Sequence, residues 1–236
     1  MTAGTFALVG GGELTDGCRA FDADLIAAAG TAARSKRPEV LVLPTAAAFE
    51  HADRVGERAV AYFDALGASA TVLPVLHRAE AEDEQIAREV RSARFVYLTD
   101  GSPLHLRSVL KESTLFEALL AAYHGGGVLA ASGAGATVLC DPMVDPRGGA
   151  YTVGLGVVRN LAVFPYHGTA ADHLRARSID LLPPTATLVG VDEQTALVLA
   201  PDGTWTARGA GEVTVYRAAG AVPHRDGDTI ADLTAR

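Results

Sequence analysis

Short apolar runs separated by amphipathic stretches dominate the first half of the chain. Phe6–Val9, Val40–Leu43, Ala70–Leu76, Phe95–Leu98 and Val128–Ala131 are strand-length and lack polar alternation, the pattern of strands buried on both faces. Between them, Ala20–Ala33, Ala52–Leu66, Glu82–Val90 and the segments from Leu104 to Tyr123 read as helices. In the second of these, Val55, Ala59, Tyr62, Phe63 and Leu66 share one side. The acidic run Glu80–Glu84 fits a helix start, with carboxylates at the positive end of the dipole. Strand and helix alternating in this way predict a mostly parallel sheet covered on both faces, a three-layer αβα sandwich.

The pattern changes after Cys140. Asp141–Gly156 is rich in Gly, Pro and Asp and reads as loop or hairpin, Leu161–Pro165 as a short strand, and Ala170–Leu182 as a helix. Leu188–Val191, Thr195–Leu199, Trp205–Arg208 and Val213–Tyr216 predict C-terminal antiparallel strands, with Asp202-Gly203 as a hairpin turn. Residues 220–236 read as a polar surface tail. The whole is expected to form a single α/β domain over residues 1–236.

Composition narrows the function classes. The net charge of −8 lacks the clustered Lys and Arg that a nucleic-acid surface requires. No apolar run reaches the roughly 18–20 residues of a membrane span, and no basic cluster precedes an apolar run at the N-terminus, so a cytoplasmic protein is expected. Cys18 and Cys140 read as free core thiols. The histidines show no metal-ligand spacing, and no metal or cofactor is expected.

Three loops of small residues follow buried strands: Gly10–Glu13, Thr99–Pro103 and Ser132–Ala136. Ligands of parallel sheets sit beyond such strand ends. The first loop lacks the third glycine of a dinucleotide fingerprint. The last lies between an apolar strand and a helix, the layout of a nucleophile elbow.

On these residues the chain resembles the dipeptidase E and cyanophycinase family of serine peptidases. The motifs are Gly10-Gly11-Gly12-Glu13, Pro44-Thr45-Ala46, Leu98–Leu104, the elbow, Gly154-Leu155-Gly156 before a strand and a histidine, and Gly190-Val191-Asp192-Glu193-Gln194-Thr195-Ala196. The resemblance implies a class I glutamine amidotransferase-like (flavodoxin-like) fold and serine-type hydrolysis of short acidic or β-aspartyl peptides. It implies His167 as base and Asp145, or less well Asp141, as its carboxylate. The N–H groups of Gly101 and Ala134 become the oxyanion donors, and Gly11, Gly12, Asp100, Ser102 and Arg175 substrate contacts. The partner is expected to be a small peptide or peptide-like metabolite, and a homodimer is compatible with the family.

The nucleophile position departs from the family pattern. Aligning Ala134-Gly135-Ala136 on the family's A-G-A places Gly133 where the serine belongs, one residue after Ser132. Glycine tolerates the strained turn, so the elbow can persist with its chemistry removed. The first alternative is a working hydrolase using Ser132, His167 and Asp145. The second is a binding protein that keeps the pocket without turnover.

Overall fold

The computed structural model describes residues 3–217, 220–231 and 233. Five strands come first: β1 (Phe6–Val9), β2 (Glu39–Leu43), β3 (Ser69–Val72), β4 (Phe95–Leu98) and β5 (Val128–Ser132). They pair in parallel in the order β1-β5-β4-β2-β3. Apart from Glu39 and the half-buried edge strand β3, these strands are buried along their length, which is why they read as unbroken apolar runs.

Helices α1 (Arg19–Ala33) and α2 (Ala52–Ala65) cover one face of the sheet, where Phe21, Leu25 and Phe63 pack on Ala7, Val42, Tyr97 and Ala130. The other face carries α3 (Arg78–Ala81), α4 (Glu84–Ser92), α5 (Pro103–Leu110), α6 (Thr114–His124) and α7 (Ala134–Val138). The acidic run forms two helix starts. Glu80 accepts from the His77 N–H, and Asp83 caps α4 by accepting from Gln85 and Ile86. Pro103 sits in the first turn of α5 behind the Ser102 cap.

After α7 come the two-residue strands β6 (Cys140–Asp141), β7 (Met143–Val144), β8 (Tyr151–Thr152) and β9 (Val158–Arg159), then β10 (Leu161–Phe164) and α8 (Asp172–Asp180). The rest is β11 (Thr187–Val191), β12 (Thr195–Leu199), β13 (Trp205–Gly209), β14 (Val213–Arg217), β15 (Gly220–His224) and β16 (Thr229–Ile230). The four expected C-terminal strands divide between two sheets. β12 pairs antiparallel with β1 and, with β13 and β16, extends the central sheet. β11 pairs parallel with β10 and antiparallel with β14 in a second sheet. The expected tail contains structure that its polar reading did not anticipate: residues 220–224 and 229–230 are edge strands held by backbone pairing, exposed at 220–223 and 229, with His224 half-buried and Ile230 buried in the core. The tail residues 232 and 234–236 lie outside the described residues. No helix among the described residues is long and apolar enough to cross a membrane.

Candidate functional site

The carboxyl ends of β1, β4 and β5 meet at one rim, and period-two alternation decides what each residue there faces. In β5, Val128 and Ala130 face α1 and α2, whereas Leu129 and Ala131 face the other layer. Ser132 continues the first set. It is fully buried, and its hydroxyl donates to Glu13 Oε2 at 3.0 Å. Glu13 itself is 7% exposed; its other oxygen accepts the Asp100 N–H at 3.3 Å, with the Arg58 guanidinium 3.9 Å away.

Gly133 turns the chain the other way. Its backbone stands at φ +45°, ψ −100°, and its N–H donates to the Val9 carbonyl at 2.9 Å. A Cβ at this position would fall 2.1 Å from Asp100 Oδ1, so the Asp100 carboxyl fills the space a side chain would need. The same Oδ1 accepts the Ala134 N–H at 2.6 Å and the Gly101 N–H at 2.7 Å. The Tyr166 hydroxyl donates to Oδ2. Gly101 stands at φ +145°, and a Cβ there would come within 2.3 Å of the Ala46 carbonyl oxygen, so this position demands glycine. Burial pushes the Asp100 carboxyl up to about 6; the two N–H groups pull against that, while the nearby charge of Glu13 adds to it.

A cavity of about 230 Å³ opens over this turn. Its walls include Pro103, Val144, Phe164, Pro165 and Leu174, with Asp100 and Asp145 as the charged groups, and among the described residues no Lys, Arg or His lines it. Asp145 is held by Arg147, whose Nη2 lies 2.6 Å and Nε 3.0 Å from its carboxyl oxygens, keeping that carboxyl below its ordinary range.

His167 lies past the end of β10 but does not meet Asp145. Its Nδ1 is 3.3 Å from Asp192 Oδ1 and its Nε2 2.7 Å from the Tyr216 hydroxyl, so both ring nitrogens are engaged. Burial lowers its pKa, with Asp192 opposing the shift. The Asp145 pairing expected from the sequence is thus replaced by Asp192, because Arg147 claims Asp145 locally. Asp141 instead accepts the Gly154 N–H at 3.1 Å. Asp192 stands inside the Gly190–Ala196 motif, which was the available signal for it.

The remaining expected contacts buttress the rim. Arg175 donates to the His167 carbonyl at 2.8 Å and pairs with Asp172. The Tyr166 ring lies where a Gly11 side chain would be, and the Gly12 carbonyl accepts from the Thr15 hydroxyl at 2.7 Å. Ser102 caps α5, and its own N–H donates to the Ala46 carbonyl at 2.8 Å. Glu13 joins the site from a loop the sequence marked as a ligand-facing strand end, whereas Tyr166 and Tyr216 join it from positions the sequence did not single out as chemical. Both thiols are buried, Cys18 pushed up to about 11 and Cys140 further. Among the described residues no cluster of three or more His, Cys, Asp or Glu could hold a metal ion.

The sequence profile of peptidase family S51 matches residues 6–206. Cyanophycinases from Trichormus variabilis and Synechococcus elongatus are each 27% identical, over 172 and 154 residues, covering 68% and 61% of this chain. Those matches cover 58% and 48% of the cyanophycinases, so the chain spans less than three fifths of their length. A peptidase from an acI-B1 Actinobacterium superposes with a TM-score of 0.86 at 29% identity over 97% of both chains. A protein described as peptidase E from Listeria monocytogenes superposes at 0.58 with 13% identity, covering 94% and 98% of the two chains, and shares the fold.

Proposed function

The chain belongs to peptidase family S51, and from that premise we propose that it keeps the peptidase pocket without serine-type turnover, binding a short peptide or peptide-like metabolite. The observation that carries this reading is the Asp100 carboxyl lying where a nucleophile's side chain would stand at Gly133, on the N–H groups of Gly101 and Ala134. Strand, strained glycine turn and helix have the form of a nucleophile elbow, and those two N–H groups have the direction an oxyanion hole requires. The hydroxyl is missing, and the donors are already engaged.

Triad hydrolases without their nucleophile keep only about 10³–10⁴-fold acceleration over water, orders of magnitude below the intact enzyme. Ser132 does not supply the lack. Its hydroxyl is sealed on the opposite side of β5 against Glu13, and attack from there would require the turn to shift by one residue. Both nitrogens of His167 are also taken. The short acidic or β-aspartyl peptides suggested by the resemblance are the compounds to test first, although among the described residues two carboxylates and no cation line the cavity.

The test is a panel of Asp-containing dipeptides and β-aspartyl peptides together with a fluorophosphonate label, on wild type, S132A, G133S and D100A/G133S. Wild type is expected to be silent and unlabelled. Turnover by wild type that S132A abolishes would overturn the proposal.

A further inference from the structure

Among the described residues, each polar side chain lining the cavity already has a partner within the chain. Tyr166 donates to Asp100, which also accepts the N–H groups of Gly101 and Ala134. Arg147 holds both oxygens of Asp145. The Thr137 hydroxyl is engaged twice by Val144: it donates to the carbonyl at 3.4 Å and accepts the N–H at 3.1 Å. What the walls leave free is hydrocarbon, the surfaces of Pro103, Val144, Phe164, Pro165 and Leu174.

We propose that the cavity takes one uncharged apolar side chain of the bound peptide or metabolite, of leucine or phenylalanine size, and rejects an acidic one. Selection of this kind presupposes the proposed function, a pocket kept for binding, and narrows its substrate class. An apolar side chain gains burial against the walls and asks nothing of the engaged polar groups. An incoming carboxylate meets Asp100 and Asp145 and, among the described residues, no lining cation, so it loses its water without gaining a partner. Glu13 and Glu50 act on Asp100 and add to the negative charge. A cation fares little better, because it must displace Arg147 from Asp145 or a donor from Asp100. The volume of about 230 Å³ lies below the roughly 300–1,000 Å³ of a drug-sized pocket and suits one side chain. Leu174 is the wall that can be changed without opening the sheet core. It stands half-buried on α8, packed against the small cluster of Val144, Ala162, Phe164 and Leu188.

Four N-acetyl amino acid amides with one backbone and different side chains separate the terms: leucine, asparagine, lysine, and aspartate with its β-carboxyl free. Dissociation constants are read by NMR titration of the full chain. Wild type is expected to bind the leucine amide about tenfold or more tighter than the aspartate amide, with asparagine between them. L174A should weaken the leucine amide about threefold or more and leave the aspartate amide within a factor of two. L174R places a cation in the wall and should reverse the order of leucine and aspartate. Aspartate bound as tightly as leucine by wild type would overturn the inference, as would lysine bound the tightest. So would no binding of the leucine amide, or an unchanged leucine affinity in an L174A protein whose thermal midpoint shows it folded. None of these readouts needs turnover. Wild-type hydrolysis of leucine-containing dipeptides that S132A abolishes would sink the proposed function and leave the apolar selection standing. A silent wild type that prefers the aspartate amide would do the reverse.

Discussion

Ser132 and Gly133 are neighbours in the chain and face opposite layers of the molecule. On the α1/α2 side, the Ser132 hydroxyl belongs to a sealed polar group with Glu13, and Asp22 and Tyr62 lie buried under the same helices. On the cavity side, Gly133 presents no side chain, and Asp100 takes both the space and the N–H donors. One side uses its hydroxyl for a structural hydrogen bond; the other has a glycine and no hydroxyl at all. A serine beside an elbow is therefore no evidence of a nucleophile until the face it points to is known. Period-two alternation settles that face.

The largest test of this contrast is to rebuild chemistry on the cavity side. G133S alone would set a Cβ 2.1 Å from Asp100 Oδ1 at a backbone φ that side chains resist. Its expected outcome is a destabilised protein with little labelling. D100A/G133S clears that space and frees both donors. Its fluorophosphonate labelling should exceed that of G133S by about 10²–10³-fold, the order contributed by freed oxyanion donors. Equal labelling of G133S and the double variant would show that Asp100 moves aside freely.

The sealed side can be tested by pH. Burial pushes Asp22 up to about 7, opposed by the Tyr62 hydroxyl at 2.8 Å and assisted by the charge of Glu13, with Cys18 and Tyr97 alongside. A carboxyl that holds its proton more tightly when folded makes the native state lose stability as pH rises. The loss begins near the unfolded value of about 4 and is complete above about 7. Asp100 adds to the same trend up to about 6. Urea unfolding should show wild type more stable at pH 5 than at pH 8. D22N should flatten that difference by up to about 3 kcal/mol, with each pKa unit worth roughly 1.4 kcal/mol. An unchanged slope would remove Asp22 from the account.

S132A then asks whether the sealed hydroxyl is structural. It leaves Glu13 Oε2 without its donor in a buried place, and the expected loss is about 1–3 kcal/mol in urea unfolding at pH 7.5. Ligand binding in the cavity should stay within a factor of two, because the hydroxyl faces the other layer. A cavity effect without a stability loss would invert the comparison of the two sides.

The parallel core was readable because its strands are apolar on both faces and its helices carry local caps; Ser102, Pro103 and Asp83 announce themselves within three or four residues. The sheet edges were not. β15 is exposed along most of its length, so no hydrophobic pattern marks a strand that only backbone pairing holds. The site divides in the same way. The turn at Gly133 and the donors Gly101 and Ala134 follow from local motifs, but Asp100 reaches Ala134 across 34 positions and Asp192 reaches His167 across 25. Asp145 looked suitable for His167 by spacing, yet it had a closer partner in Arg147, two residues on. Sequence spacing gives reach, whereas competition between partners is settled only by packing.

The smallest effect lies at Tyr166, where the two sides of the comparison can be weighed on one group. The hydroxyl on Oδ2 and the two N–H groups on Oδ1 favour the ionised Asp100 carboxyl, while burial, Glu13 and Glu50 oppose it. Y166F keeps the ring against Gly11 and so keeps the cavity closed, but it removes one donor to the charged form. The Asp100 pKa should therefore rise above about 6, by about one unit or less, the worth of a single hydrogen bond to a charge in a partly wet site. A carbon-detected carboxyl titration of wild type and Y166F reads this directly, with D100N identifying the resonance. A fall in the pKa would mean that water reaching Oδ2 outweighs the lost hydroxyl.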